Sequence, residues 1–207
     1  MHNILFKTSS YCISQMDVSE LRELATFVVS QNYMHHLEGL FSGDLSAEIE
    51  DIYQEEFQQR EASITYTVRD MNDDMIGSIR VLKWDQQKEL PIQKIFGISP
   101  LEAIPSASQS TFWHVGRFAI DNRKGISTLL LFRQLMMLAI EPIIKSENSI
   151  MIAESDSKLL RIMHLLGIET HQLGPSVEYL ASEKIPIFAS KQGLMPFYKK
   201  YSSLLPC

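Results

Sequence analysis

A chain of 207 residues that is 45% hydrophobic has ample apolar side chain for one core, and a single domain over residues 1–207 is the expected organisation. Its formal net charge of -6 argues against the concentrated basic face that a nucleic acid requires, so no nucleic-acid partner is expected. The two cysteines, Cys12 and Cys207, lack a metal-ligand spacing and point to reduced thiols in a cytoplasmic protein; the best apolar run, 126–144, contains Arg133, Gln134 and Glu141 and does not read as a membrane span.

Residues 4–11 read as a first strand. Asp17 then has the form of an N-cap, with Glu20 completing a capping box ahead of a helix over 21–34. The acidic segment 45–60 repeats apolar residues at Ile49, Ile52, Tyr53 and Phe57, a helical spacing with a solvated acidic face. Alternation over 63–69 and 76–84, broken by the turn residues 71–74, predicts an antiparallel hairpin. Pro91 suits the first position of a short helix, and 100–109 reads as a polar loop.

The stretch from Ser110 to Glu141 organises the rest. Strict alternation would put Phe112, His114, Gly116, Phe118 and Ile120 on one face of a strand, and Trp113, Val115, Arg117 and Ala119 on the other. Both faces are largely apolar, as in a central strand covered on both sides. From Ser127 the apolar residues Leu129, Leu130, Phe132, Leu135, Met136 and Ile140 recur at helical spacing. A second short strand, 149–153, completes a βαβ crossover, and an amphipathic helix over 158–168 follows with Leu159, Ile162, Met163 and Leu166 inward. Glycines and a proline mark turns beyond it, and 194–207 reads as a short helix or tail. The expected fold class is therefore α/β, a central mixed sheet with helices on both faces. The strand-to-helix turn, Lys124 to Thr128, gathers unpaired backbone N–H groups at a positive helix end, which favours an anionic phosphate.

The segment FWHVGRFAID resembles the strand-ending W-E-x-S-R-F-x-V pattern of acyl-homoserine lactone synthases and N-acyl amino acid synthases, branches of the Gcn5-related N-acyltransferase superfamily. The turn DNRKGIST is similar to that superfamily's pyrophosphate loop, with Gly125 and Ser127 in the last two motif positions and Asn122 where Gln or Arg is usual. LRELATFVV, the Gly77 to Arg80 stretch and ELPIQKIF resemble further motifs of the same branch. The segment from LLRIMHLLGI through LGPSVEY is similar to one shared with exosortase-associated acyltransferases. The likeness runs over residues 20–190 in short motifs whose order carries most of its weight.

The resemblance implies an acyl-CoA N-acyltransferase-like fold and transfer of an acyl group from acyl-CoA or an acyl carrier protein to an amino acid or similar small amine. No permanently bound cofactor is implied; acyl-CoA or acyl-phosphopantetheine serves as co-substrate. His114 takes the place of the family's strand Glu and is the first candidate base; Glu154 is the second, and Arg117 matches the motif Arg that would orient an acceptor carboxylate or a donor phosphate. Phe118, Ile120, Lys124, Gly125, Ile126, Ser127 and Thr128 would meet the donor, and Arg80, Asp51 and Trp113 the acceptor. Tyr198 is a candidate proton donor to the departing thiolate. A carrier-protein donor would dock near Arg123, Lys124, Arg133, Lys199 and Lys200. Asp51, Ile52 and Tyr53 match the start of the lactone synthases' D-x-Y-D pattern, but Gln54 replaces its second Asp, leaving Glu55 or Glu56 as substitutes. Lactone synthesis from S-adenosylmethionine is thus the second expectation, and a non-catalytic binding module on the same fold the third.

Overall fold

The computed structural model describes residues 3–36, 43–105, 107–179 and 182–205, which leaves Cys207 outside the description. Among these, a single path of hydrogen-bonded strands runs β1 (Asn3–Lys7), β2 (Tyr11–Gln15), β3 (Ser63–Asp70), β4 (Met75–Lys83), β5 (Thr111–Ile120), β6 (Ser149–Ser155), β9 (Ser182–Ser190), β7 (His171–Gln172); β8 (Val177–Tyr179) pairs with β9 off the path. Every pairing is antiparallel except β5 with β6, which are joined through the long helix α5 (Thr128–Lys145). This is the crossover that the apolar periodicity called for, and the sheet is mixed as expected.

The expected first strand is two. Thr8 closes a tight turn, its hydroxyl accepting from the Tyr11 N–H at 3.0 Å, and β1 folds back on β2. Ser9 and Ser10 after Thr8 favour a turn over a continuous strand, which is why the single strand expected over 4–11 divides here. The capping box at Asp17 is present, with Glu20 accepting from the Asp17 N–H at 2.8 Å, and a single 3-10 turn leads into α1 (Leu21–His36). The polar 100–109 loop contains the short helix α4 (Pro100–Ala103), started by its proline.

Two layers of helices cover the sheet. On one face α5, α6 (Ser157–Leu166) and α7 (Lys191–Tyr201) bury Leu135, Ile140, Met163 and Phe197. Each such side chain removed from water contributes about 1.5–3 kcal/mol. On the other face lie α1, α2 (Ser46–Gln59) and α3 (Pro91–Phe96), where Leu21, Leu24 and Val28 pack on Ala119 and Met75.

The alternation expected along β5 fails at one point. Ser78 pairs with Ala119 but Arg80 pairs with Gly116, so Ile79 of β4 faces two residues of β5, Arg117 and Phe118. This is a β-bulge, and Arg117 holds it with φ at 53°, a left-handed conformation that costs a non-glycine residue about 1–3 kcal/mol. The Ser78 hydroxyl donates to the Arg117 carbonyl at 2.7 Å and pins the kink. Beyond it the faces exchange. Phe118 and Ile120 join Trp113 and Val115 against α5, while Arg117 and Ala119 turn to the α1 and α2 side that His114 already faces. Period-2 reasoning had separated His114 from Arg117; the extra residue unites them.

Candidate active site

Pairing between β5 and β6 ends at His114 with Ile152, while β6 continues against β9 as far as Ser155 with Ile185. The two parallel strands therefore part, and the backbone of β5 beyond His114 has no β6 partner. A cavity of about 510 Å³ occupies the opening. It reaches both faces of the sheet, with Val28 and Asn32 of α1 at one end and Phe132, Met136 and Ile162 of α5 and α6 at the other.

At the apex of the gap a chain of charged side chains runs inward. Glu154 Oε2 lies 2.9 Å from His114 Nε2, and His114 Nδ1 lies 2.6 Å from Arg80 Nη2. Arg80 Nη1 donates to Glu56 Oε1 at 2.6 Å, and the same oxygen accepts from Arg117 Nε at 2.7 Å. Arg117 Nη2 completes the chain with Glu55 at 2.7 Å. Arg80, Glu56 and His114 are all within 1% of full burial, so each polar group depends on its neighbour for what water would otherwise supply. Burial works against the charge of Arg117, but Glu56 and Glu55 outweigh it and hold the guanidinium firmly protonated. Burial likewise works to raise the Glu55 pKa, and Arg117 and Arg80 overcome it, leaving the carboxyl below its usual range.

The geometry fixes the histidine tautomer. A guanidinium has no acceptor, so the Arg80 contact requires a bare lone pair on His114 Nδ1, and the ring proton resides on Nε2, donated to Glu154. His114 then has no free lone pair to offer a substrate. Glu154 does: its carboxylate borders the cavity and takes one N–H from His114, with acceptor capacity left over. Of the two side chains, the carboxylate is the one that borders the cavity with an acceptor free, and the imidazole N–H is hydrogen-bonded to it. Gly116 makes room for this arrangement, since a Cβ there would fall 2.9 Å from His114 Cε1.

No family model matches the sequence, and no curated protein matches it. Solved structures do resemble the fold. FeeM, an N-acyl amino acid synthase from uncultured soil microbes, superposes with a TM-score of 0.62 at 16% identity, covering 92% of this chain and 93% of that one. BjaI, a CoA-dependent acyl-homoserine lactone synthase solved with SAM and isopentyl-CoA, gives 0.59 at 17% identity over 92% and 84% of the two chains. TofI, solved in a ternary complex with an inhibitor and MTA, gives 0.58 at 16% identity over 90% and 95%. This is the Gcn5-related N-acyltransferase fold.

Within the acyltransferase fold the sequence-derived residues divide into three groups. Arg80, His114, Arg117 and Glu154 meet in one network, and Phe118, Ile120 and Thr128 line the same cavity. A second group lies near the cavity without facing it. Ser127 spends its hydroxyl capping α5, accepting from the Leu130 N–H at 3.3 Å; Gly125 supplies the left-handed turn before it, with φ of 72°; Ile126 packs on the core. The Lys124 ammonium is held by Asp74 at 2.8 Å and Asp70 at 3.1 Å. The third group points elsewhere: Asp51 is exposed on α2, Trp113 packs on the α5 face with Lys83 6.0 Å from its ring centroid, and Tyr198 packs against the core beside α5. Of the expected basic surface, Arg123 pairs with Asp121 at 2.8 Å and Arg133 lies 5.0 Å over the Tyr201 ring.

Glu56 was the residue that sequence reasoning undervalued. It falls on the apolar stripe of α2, four residues after Ile52 and seven after Ile49, and a carboxylate in that stripe was the available sign of a buried partner. Among the described residues no group of three or more His, Cys, Asp or Glu is arranged for a metal, and no helix is long and apolar enough to cross a membrane.

Proposed function

We propose that this protein is an N-acyltransferase that moves an acyl group from a phosphopantetheine thioester, on CoA or on a carrier protein, to a small amine. The observation that carries the proposal is Glu154, an acceptor-competent carboxylate fixed by His114 at the point where β5 and β6 part. A donor arm lying in that gap finds the unpaired edge of β5 for its amide groups, and the apolar end of the cavity, with Phe132, Met136 and Met163, suits an acyl chain. Glu154 takes a proton from the incoming ammonium. The freed nitrogen bonds to the thioester carbonyl carbon, the C–S bond breaks, and the second nitrogen proton goes to the departing thiolate. Backbone N–H groups of β5 beyond its pairing with β6 are the candidate oxyanion donors. Most of the rate comes from holding amine and thioester together, and the buried ion network supplies the stiffness for that.

Likeness to BjaI and TofI supports a second reading, acyl-homoserine lactone synthesis from S-adenosylmethionine. A thiol-release assay with acyl-CoA and acylated carrier protein against a panel of amines tests both. Turnover with simple amines supports the first reading, and release of methylthioadenosine supports the second. Binding of an acyl donor with no thiol released from any pairing would leave a binding module and sink the proposal.

A further inference from the structure

Among the described residues, three lysines line the cavity outside the network, and Lys184 is the least exposed of them. Arg117 is committed to Glu55 and Glu56, while Lys94 and Lys158 are exposed at the rim. Lys184 of β9 lines the cavity half-buried, and its ammonium donates to a neutral group, the Asn32 amide oxygen, at 3.3 Å. Burial works against its charge, with Asp156 and Glu154 working for it. Both of those acids already have work: Asp156 caps α6 through the Leu159 N–H at 2.7 Å, and Glu154 holds His114. A partly desolvated ammonium facing a cavity, with an amide for company, gains most from a carboxylate.

Strand register sets where that carboxylate would come from. Glu154 pairs with Pro186 in the antiparallel β6 and β9 ladder, and Lys184 lies two residues from Pro186, so Lys184 and Glu154 project from the same face as diagonal neighbours. Such positions have Cβ atoms roughly 7–8 Å apart. One side chain is anionic and takes up ammonium protons; the other is cationic. A small molecule that carries an amine and a carboxylate on one carbon can satisfy both. Building on the acyl-transfer reading, we propose that Lys184 is the receptor for the acceptor's carboxylate, and that the acceptor ends in an α-amino carboxylate with its ammonium against Glu154. A free amino acid and S-adenosylmethionine share this head group, whereas a polyamine lacks it.

The test is calorimetric binding of L-leucine, L-phenylalanine and L-methionine, of their methyl esters, and of S-adenosylmethionine, to the wild-type protein and to Lys184→Met and Lys184→Arg. The wild type is expected to bind an acid at least about tenfold more tightly than its ester, the size of a charge-assisted contact. Lys184→Met should abolish that preference and Lys184→Arg should restore part of it, with melting temperatures reporting that both variants fold. Preference for S-adenosylmethionine over the three amino acids, lost in Lys184→Met, supports the receptor and identifies its source. Equal binding of acid and ester, binding of neither, or equal weakening of both by Lys184→Met overturns it. Thiol release is scored separately: carboxylate-dependent binding without release keeps the receptor and sinks acyl transfer, while release to spermidine without carboxylate-dependent binding does the reverse.

Discussion

The two ends of β5 handle charge in opposite ways. At the apex, residues 114–117 belong to a network in which Arg80, Glu56 and His114 are removed from water and each polar contact is set by the next. A few residues on, in the turn before α5, Arg123 and Lys124 also have acidic partners in Asp121, Asp70 and Asp74, but there the cationic heads lie in reach of water, with the Arg123 side chain 62% exposed and that of Lys124 34%. A buried pair resists rearrangement because losing one member strands the other, whereas an exposed pair contributes little and exchanges readily. The first arrangement suits a site that must hold a base still while a proton moves. On the acyl-transfer reading proposed above, the second would let lysine and arginine leave their acids for an arriving phosphate.

Substitutions can break or sharpen that contrast. Glu154→Gln should have the largest consequence, a fall in kcat of roughly 10²–10⁴ with KM little altered, read by thiol release; unchanged kcat would remove Glu154 from the chemistry. Glu56→Gln should cost about 3–5 kcal/mol in urea denaturation, because Arg80 and Arg117 lose their shared carboxylate. Gly116→Ala crowds the imidazole and should cost about 1–3 kcal/mol while lowering kcat, the two effects arising together because the same ring is displaced.

Smaller effects follow from pH and from the turn. The Glu55 pKa is held below its unfolded value, so its contribution to stability is present above about pH 4.3 and is lost as pH falls through the folded value. Glu55→Gln should flatten that acid limb in a pH series of denaturation midpoints; an unchanged limb would mean that Glu55 is not ionised in the fold. Lys124→Ala should leave the melting temperature unchanged and raise the KM of a phosphate-bearing donor a few-fold at most, an effect that fades as salt rises.

How much of this was legible beforehand depended on whether the information was local. The crossover from β5 through α5 to β6 was visible, because a long apolar helix between two apolar strands leaves few alternatives. So were the hairpin of β3 with β4 and the capping box at Asp17, each set by residues a few positions apart. What escaped was which partner each charge would take across the chain. Glu56 reaches Arg80 from 24 residues away and Arg117 from 61, and no spacing rule connects them. The bulge was hidden for another reason: β5 is apolar on both faces, so a slip in alternation leaves no trace in the pattern. Lys184 carried no local signal, and its place at the cavity follows only from the pairing of β9 with β6.

The bulge also has a bearing on how β5 tolerates change. Arg117 behaves as an inserted letter: excise it, and regular alternation would return with Trp113, Val115 and Phe118 still on one side and His114, Gly116 and Ala119 still on the other. The shortened strand would shed its left-handed residue and remain legible to the rest of the sheet, forfeiting only the guanidinium that ties Glu55 and Glu56 to it. An ordinary strand could thus acquire this arginine, or lose it, in a single step without rewriting its neighbours.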